Sequence, residues 1–349
     1  MKKILIIVLI LFCTGCYDYN ELNDLEIVSS MIVDYEDGDY KIDIEVLDTS
    51  ESASKGSYYL KGKGNTLEAA MNDVFFGSAS TPFYSHMKTL VVSKAIAERG
   101  LDDFFDYLLR NTKLRKDFYV FVAEDIDKIL KFEPAPRESF GELARMSAKR
   151  NQEGNGYYRP GTFRELIYAY LRDNTYMVGG LTIDEDIISL TDTYLFTNNT
   201  LAFDIDKNAA LFANMLAGQN KMFQIYGDFT FDIHEYKLEK KIEKNKITLS
   251  LKGQARLLDA RTPNHLNQDD LAKIERDLNT RVEEYAAKTV EYAKTMNSDM
   301  FNFNHSYYLY YPKLVEDDTW KKIEYVFTSD LVIGEKGLLL DSIGGKNGK

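Results

Sequence analysis

Apolar and polar residues along the first third of the chain predict alternating strands and helices. Residues 25–33 and 40–47 have the apolar, β-branched character of two strands, and the acidic turn between them contains Gly38. Residues 41–46 alternate strictly, which is typical of a strand with one face in water. Thr66 is a suitable N-cap for a helix over residues 67–76. The remaining predicted elements of this part are strands near residues 58–60 and over 87–92 and 118–123, a helical region over 94–110 interrupted at Gly100, and a short helix over 126–132.

The middle of the chain carries two helix-start signals and a further group of strands. Ser139 and Thr162 are each followed three residues later by a glutamate, the pattern of a capping box, so a helix is predicted to begin at each. Strands are predicted over residues 176–183, 193–196 and 200–205, the last two joined through an Asn-Asn turn. A helix over residues 209–216 follows.

The last third has a different pattern. Residues 228–241 and 246–258 alternate over a long span around a turn at 243–245, which predicts one long hairpin. The longest predicted helix covers residues 269–296, and a closing strand is expected over 325–333. Its apolar stripe, which is predicted to pack on a sheet, consists of Leu271, Ile274, Leu278, Val282, Tyr285 and Thr289.

Together these elements predict an α+β, multidomain fold with mixed or antiparallel sheets, each flanked by helices, and a long helix packed on the C-terminal sheet. Pro134 and Pro136 favour an extended link between the first two units. The predicted division is a signal peptide over residues 1–15, a tether over 16–24, and α+β domains over 25–131, 132–218 and 219–349.

The N-terminus has the order of an export signal. Lys2 and Lys3 precede an apolar run over residues 4–12, which is far shorter than the roughly 20 residues of a membrane-spanning helix. Thr14 and Gly15 directly before Cys16 resemble a bacterial lipobox, although Cys13 stands where leucine is usual. We therefore predict that Cys16 carries a diacylglycerol and anchors the protein to a membrane. The alternative is an ordinary signal peptide cut nearby, with Cys16 incidental.

Composition narrows the possible functions. The 349 residues carry a formal net charge of −12, and 44% of them are hydrophobic, with 24 Tyr and 20 Phe against one Trp. The acidic balance disfavours nucleic-acid partners. Both cysteines lie in the first sixteen residues, so the predicted folded body has no thiol for a disulfide, a zinc site or a nucleophile.

The sequence contains only incomplete motifs for catalysis and for metal binding. Ser52 and Lys55 have Ser-x-x-Lys spacing without the partner motifs of penicillin-interacting enzymes. Asp204 and Asp206 begin a calcium-loop pattern, but Ala209 stands where glycine must turn the chain, so a helix-capping acidic turn is expected instead. No catalytic residue, metal ligand or cofactor is predicted. A zinc site in particular is not expected, since none of the four histidines has a second histidine at helical spacing: His86, His234, His265 and His305.

An aromatic segment near the C-terminus has two interpretations. Tyrosine provides a large contact area with a polar tip, so this segment is a candidate partner surface, and core packing at a domain edge is the commoner alternative. The tyrosines concerned are Tyr307, Tyr308, Tyr310 and Tyr311.

Three further segments accompany the lipobox-like sequence at Cys16. Gly64 begins a Gly-x-Thr helix start, and His86 and Lys88 form a His-x-Lys segment. Near the C-terminus, the segment that begins at Asp299 is similar to an Asp-x-Phe-Gly motif. Together these features resemble the Ger(x)C family of spore-germination lipoproteins. Departures from the family pattern are Tyr17, where tryptophan is usual after the lipidated cysteine, and Asn302, where glycine is usual.

The resemblance implies a non-enzymatic, lipid-anchored subunit of a germinant receptor at the outer face of the spore inner membrane. It implies three α+β domains, assembly with integral membrane A- and B-type subunits, and a role in nutrient-triggered germination. His86 and Lys88 would contact a partner or, equally, shape a strand end. The alternative is a solute-binding lipoprotein of a transport system, which the long antiparallel hairpin disfavours.

Overall fold

A β-hairpin opens the described part of the chain, as predicted. Strands β1 (Leu25–Glu36) and β2 (Asp39–Leu47) pair antiparallel. The turn residues Asp37 and Gly38 have φ of 55° and 89°, the left-handed conformation that a tight hairpin turn requires. The computed structural model describes residues 25–48, 56–112, 114–154, 156–173, 175–216, 222–260 and 268–335.

A large mixed sheet contains β1 and β2 together with the strands of the next 160 residues or so. The strands that follow β2 are β3 (Ser57–Gly64), β4 (Thr81–Phe83), β5 (Thr89–Ser93), β6 (Tyr119–Ala123), β7 (Gly161–Thr162), β8 (Thr175–Asp184), β9 (Ile187–Thr197) and β10 (Thr200–Ile205). Within the described residues the order of the sheet is β10-β9-β8-β6-β5-β1-β2-β3, with β4 beside β1 and β7 beside β6.

Parallel pairing holds the centre of this sheet, and antiparallel hairpins form both sides. β1, β5, β6 and β8 run parallel, and every residue of β5 and β6 is buried, as expected for strands covered on both faces. β9 begins six residues earlier than the predicted strand over 193–196. Its extra length comes from a turn at Glu185 and Asp186, which adopt φ of 46° and 60° without a glycine or asparagine to signal it.

Helices cover both faces of the large sheet. On one face an aromatic cluster fills the core: Phe163 lies 5.2 Å from Phe118 and 5.3 Å from Phe105, measured between ring centroids. On the other face, Phe140 and Ala144 pack on Phe121. The helices of this part are α1 (Leu67–Gly77), α2 (Lys94–Arg99), α3 (Asp102–Arg110), α4 (Ile126–Lys131), α5 (Phe140–Glu153), α6 (Phe163–Asp173) and α7 (Lys207–Leu216).

Helix starts follow the predicted caps. Thr66 Oγ1 accepts a hydrogen bond from the Ala69 amide at 3.1 Å and caps α1. Thr162 and Glu165 form the complete reciprocal box at the start of α6, since the Thr162 amide donates to Glu165 Oε2 at 2.7 Å. Ser139 caps α5, while the glutamate three residues later bonds an arginine instead of reaching back.

A second sheet forms the C-terminal part, in the order β11-β12-β13-β14. The predicted long hairpin is confirmed as β12 and β13, and the closing strand β14 runs parallel to β13 after a helical crossover. These elements are β11 (Met222–Ile225), β12 (Phe229–Glu243), β13 (Lys246–Ala260), α8 (Gln268–Thr295), α9 (Phe303–Tyr308), α10 (Thr319–Lys322) and β14 (Glu324–Glu335).

The long helix α8 packs on this sheet and also covers the open edge of β14. Its predicted stripe is buried except for the half-buried Tyr285, with Leu278 only 1% exposed. Polar side chains at four-residue steps then bond alternate amides of the edge strand. The contacts run from Ile333 N to Glu275 Oε2 at 2.8 Å, from Leu331 N to Asn279 Oδ1 at 2.8 Å and from Ser329 N to Glu283 Oε1 at 2.7 Å. These bonds satisfy edge amides that would otherwise be open to pairing with another strand.

The two sheets share one apolar cluster. Met177 and Leu195 of the large sheet belong to it together with Ile247 and Leu249 of the second sheet. The division into domains over residues 25–131, 132–218 and 219–349 stays a prediction. Within the described ranges, no helix combines the length and apolar character that a membrane span needs.

Candidate functional site

The predicted site residues lie in two separate regions. His86 and Lys88 lie in the short connection between β4 and β5, whereas the tyrosines lie in and just after α9. Cys16, the predicted lipid attachment site, lies outside the described residues, as does the signal sequence before it.

Backbone hydrogen bonds hold Lys88 at the entry of the parallel core. Its amide donates to the Ser29 carbonyl at 2.8 Å, and its carbonyl accepts from the Tyr119 amide at 2.9 Å. Met87, between His86 and Lys88, is 4% exposed, so its side chain lies in the core while those of its two neighbours face outward. His86 is exposed, with its ring 5.7 Å from the Phe83 ring. The structure thus gives this segment a strand-end packing role as well as an accessible surface.

A cavity of about 360 Å³ opens beside these two side chains. Its walls come from β1, β2 and α5, and aliphatic side chains contribute most of its inner surface. Charged side chains surround the opening. The aliphatic residues are Ile27, Leu47, Leu143 and Met146, and the polar ones are Ser29, His86, Lys88, Arg137, Glu138, Ser139 and Glu142. We call this the His86–Lys88 pocket.

A fully buried carboxylate fixes the wall of this pocket. Glu45 on β2 accepts hydrogen bonds at 2.6 Å from the Phe140 amide and at 2.9 Å from the Gly141 amide, the first amides of α5. Ser30 Oγ and Ser57 Oγ donate to the same carboxylate at 3.0 and 2.7 Å. The open amides and positive dipole of a helix N-terminus favour an anion at this position, so Glu45 holds α5 against β2.

Close packing at the same helix start leaves no room for adjustment. Ser29 Oγ and Ser139 Oγ lie 2.8 Å apart, and Thr89 Oγ1 donates to the Gly141 carbonyl at 2.9 Å. A Cβ atom at Gly141 would lie 2.5 Å from the backbone oxygen of Ser29, so only glycine allows this approach.

Electrostatics at the pocket opening are dominated by a salt bridge. Arg145 Nε donates to Glu142 Oε2 at 2.8 Å and lowers the pKa of the Glu142 carboxyl, and Lys88 acts in the same direction at longer range. Ser139 Oγ accepts a hydrogen bond from the Glu142 amide as the cap of α5. Among the residues described, no cluster of His, Cys, Asp and Glu is suited to a metal ion. The arrangement is suited to docking an apolar group between charged neighbours.

The tyrosine segment divides into buried and exposed members. Tyr307 is 2% exposed, and its hydroxyl donates to the Lys244 carbonyl at 2.5 Å. Tyr311 packs against it with ring centroids 5.0 Å apart. Tyr308 and Tyr310 are 51% and 63% exposed and flank the exposed Leu309. The first pair therefore has packing partners within the chain, and only the second pair presents a free aromatic surface.

Comparison with known proteins assigns the chain to a family. Residues 18–183 match the model described as "Spore germination protein N-terminal domain", and residues 191–333 match "Spore germination B3/ GerAC like, C-terminal". The chain belongs to the Ger(x)C family.

Two curated relatives of this Ger(x)C protein come from Bacillus subtilis (strain 168). The putative spore germination protein YfkR is 26% identical over 165 residues, or 43% of each chain. Spore germination protein KC is 25% identical over 151 residues, or 37% of this chain and 36% of the relative. The matched region thus spans about two fifths of the curated relatives.

A solved structure supports the same fold. The crystal structure of the GerBC protein superposes with a TM-score of 0.56 at 10% sequence identity, covering 87% of this chain and 96% of that one. At this level of identity the likeness concerns the fold alone, and the α+β architecture predicted from the sequence is confirmed.

Backbone geometry accounts for one departure from the motif that the sequence resembles. Asn302, at the glycine position of the Asp-x-Phe-Gly motif that this segment resembles, adopts φ of 57° and ψ of 39°. Glycine is the usual residue in this left-handed conformation, and asparagine is among the few others that tolerate it. The substitution therefore preserves the backbone turn before α9.

Sequence reasoning missed the most buried polar group of the site. Strict alternation over residues 41–46 predicted a strand with one wet face, and this was wrong: Asp43 is 8% exposed and Glu45 is fully buried. The reason is that α5, about 95 residues later, covers this face and supplies amide donors to the carboxylate. The predicted acidic helix cap is confirmed, since Asp206 Oδ1 accepts from the Asn208 and Ala209 amides at the start of α7.

Proposed function

We propose that this Ger(x)C protein is a lipid-anchored, non-catalytic subunit of a spore germinant receptor at the outer face of the spore inner membrane. The observation that carries the proposal is the succession of two spore-germination family models over residues 18–183 and 191–333. The lipobox-like segment that ends at Cys16 supports the anchor. The absence of a catalytic constellation at the His86–Lys88 pocket supports a role in protein contact.

Two acyl chains on Cys16 would hold the body at the membrane surface, since one chain binds only marginally and two chains bind stably. Leu25, where β1 begins, is nine residues from Cys16. A chain of that length reaches at most about 30 Å. Ile27 on β1 lines the His86–Lys88 pocket, so this pocket lies on a strand whose first residue is held within that reach of the bilayer.

The partners in this proposal are the integral membrane A- and B-type subunits. Their chemistry at the contact would be an extracellular loop that places an aliphatic side chain among Ile27, Leu47 and Leu143, with polar groups meeting His86 and Lys88 at the opening. Tyr308 and Tyr310 offer a second contact surface at the other end of the protein sequence.

The anchor is tested by a pair of cysteine variants. Cys16→Ala is expected to move the protein from the membrane to the soluble fraction, to abolish co-purification with the two membrane subunits and to impair nutrient germination. Cys13→Leu is the matched control, because it removes the other cysteine, places the usual residue at that lipobox position and leaves Cys16 available for lipid attachment. Normal germination by spores whose Cys16→Ala protein is soluble would refute the proposal.

The pocket is tested by charge reversal at its opening. Lys88→Glu is expected to weaken co-purification with the membrane subunits while the variant stays membrane-bound. Lys128→Glu, on the exposed face of α4, is the control and is expected to co-purify normally. Equal recovery of both variants would exclude the pocket as the contact and leave the exposed tyrosines to be tested by Tyr308→Ala and Tyr310→Ala.

A further inference from the structure

A second cavity, of about 270 Å³, lies between the large sheet and the C-terminal part. α6 and β8 line one side of it, and β12 and the start of α9 line the other. Although the chain as a whole is acidic, the charged side chains around this cavity are mainly basic: Arg159, Arg172 and Lys240, with Glu165 as the carboxylate. His305 also lines it. We call it the basic cavity.

Arg159 is the innermost of these cations. It lies deep among protein atoms yet keeps part of its surface accessible, because it lines the cavity. Its Nη1 donates to Asn214 Oδ1 at 3.3 Å. Burial lowers the pKa of the guanidinium to about 10; the Glu165 carboxylate opposes this effect, and the positive charge of Arg172 acts in the same direction as burial. Arginine nevertheless stays charged at physiological pH, so the protein holds a desolvated cation here.

Lys240 faces the same space from β12. Its Nζ donates to Ser306 Oγ at 3.1 Å and lies 5.3 Å from the centre of the Phe303 ring. Although Lys240 is exposed, nearby protein atoms remove part of the water around its ammonium and lower its pKa; Asp299 opposes this effect, and Arg172 acts in the same direction. At both Arg159 and Lys240, desolvation and Arg172 thus disfavour the protonated form, and one carboxylate opposes them.

The carboxylates nearest to this cluster serve as helix caps. Glu165 Oε2 accepts from the amide and the hydroxyl of Thr162 at 2.7 and 3.0 Å. Asp299 accepts from the amides of Phe303 and Asn304 at 2.9 and 2.6 Å, at the start of α9. Within the part of the chain that the structure describes, no salt bridge joins Arg159 or Lys240 to a carboxylate.

We propose that the basic cavity binds a small oxyanion, the carboxylate or phosphate group of a small solute, with Arg159 and Lys240 as its principal ligands. An oxyanion there would accept charge-assisted hydrogen bonds and relieve the repulsion among the cations. The volume is slightly below the roughly 300 Å³ at which most ligand pockets begin, so the solute is small. Since Arg159 and Lys240 belong to regions matched by different family models, binding would link the two regions.

The test uses the full mature chain in detergent, titrated with inorganic phosphate and, separately, with succinate at constant ionic strength. Calorimetry and the thermal unfolding midpoint are the readouts. Saturable binding of either anion, with a rise in the midpoint, is expected. Saturation by phosphate alone would identify a phosphate-bearing solute, and saturation by succinate alone would identify a carboxylate. No saturation by either anion up to about 10 mM would overturn the proposal.

Neighbouring lysines on one strand provide a matched pair of variants. Lys240→Gln is expected to weaken binding about tenfold, or 1.4 kcal/mol. The side chain of Lys241 points to the opposite face of β12, where its Nζ bonds Glu243 Oε1 at 3.0 Å. Lys241→Gln is therefore expected to leave the affinity for the anion unchanged. Arg159→Gln should weaken binding at least as much. Because Lys240 is exposed, its variant is expected to fold, so the test remains possible even if Arg159→Gln fails to fold. Equal affinity of the two lysine variants would refute the assignment. No partner subunit is needed, so a failure here would leave the receptor proposal standing.

Discussion

Replacing the buried Glu45 by glutamine tests how α5 is held in place. Each carboxylate oxygen accepts one serine hydroxyl and one backbone amide: Oε1 accepts from Ser57 and Phe140, and Oε2 accepts from Ser30 and Gly141. Glutamine has nearly the same shape but only one oxygen. One of the two α5 amides must then face an NH₂ group instead of an acceptor.

The expected magnitude follows from two contributions. A buried donor left without an acceptor costs about 1–3 kcal/mol. Loss of the negative charge at the helix N-terminus adds about 0.3–1 kcal/mol. The first turn of α5 should therefore open more easily by about 1.3–4 kcal/mol, which corresponds to amide exchange roughly ten- to a thousandfold faster.

Hydrogen exchange measured by mass spectrometry on peptides that cover α5 is the appropriate assay, because it reports local opening. Glu36→Gln is the control. The Glu36 carboxylate is exposed at the end of the same hairpin, and within the described part of the chain Lys41 is its only side-chain partner. The control should exchange like the wild type. Unchanged protection of α5 in Glu45→Gln would refute the role assigned to this carboxylate.

Three further predictions concern backbone and charge. Gly141→Ala should lower the free energy of unfolding by at least about 1–3 kcal/mol, because the added methyl group overpacks the site. Gly77→Ala is the control: a Cβ there would meet nothing within 4 Å, so this variant should be neutral or stabilising. Urea unfolding of the two variants tests the difference. Asn302→Gly should leave the free energy of unfolding unchanged, whereas Asn302→Val should lower it by about 1–2 kcal/mol, because a β-branched residue is disfavoured in the left-handed conformation. The thermal unfolding midpoint measures the difference, and equal midpoints of the two variants would contradict this reasoning. Burial raises the pKa of Asp43, against the opposing effect of Lys61. The folded state therefore keeps this proton to higher pH than the unfolded state does, so the stability due to the protonated form is complete below the unfolded pKa and is lost as pH rises through the folded one. The free energy of unfolding of Asp43→Asn, relative to that of the wild type, should accordingly increase from about pH 4 to about pH 7. Urea unfolding at both pH values measures this difference, and the same difference at the two pH values would contradict the assignment.

Local chemistry made much of the fold predictable. Asp37 and Gly38 form the expected left-handed hairpin turn, and Thr66 and Thr162 cap the predicted helices, because each signal involves atoms only a few residues apart. The stripe of α8 was visible for the same reason, since helical periodicity is a property of the segment itself.

Contacts between distant segments decided the rest. Alternation around Glu45 is compatible with a solvent-exposed face or with a face covered by a helix, and only the packing of α5 distinguishes the two. The basic cavity likewise arises because β12 brings Lys240 beside Arg159, about eighty residues earlier, with no shared motif to predict it. The physical reason is that hydrogen-bond geometry within a turn or helix depends on neighbouring residues, whereas burial and electrostatic environment depend on whichever distant element packs nearby. The amino-acid sequence alone therefore determined the elements, their caps and the family resemblance. Tertiary structure decided which charged groups are buried and where they meet.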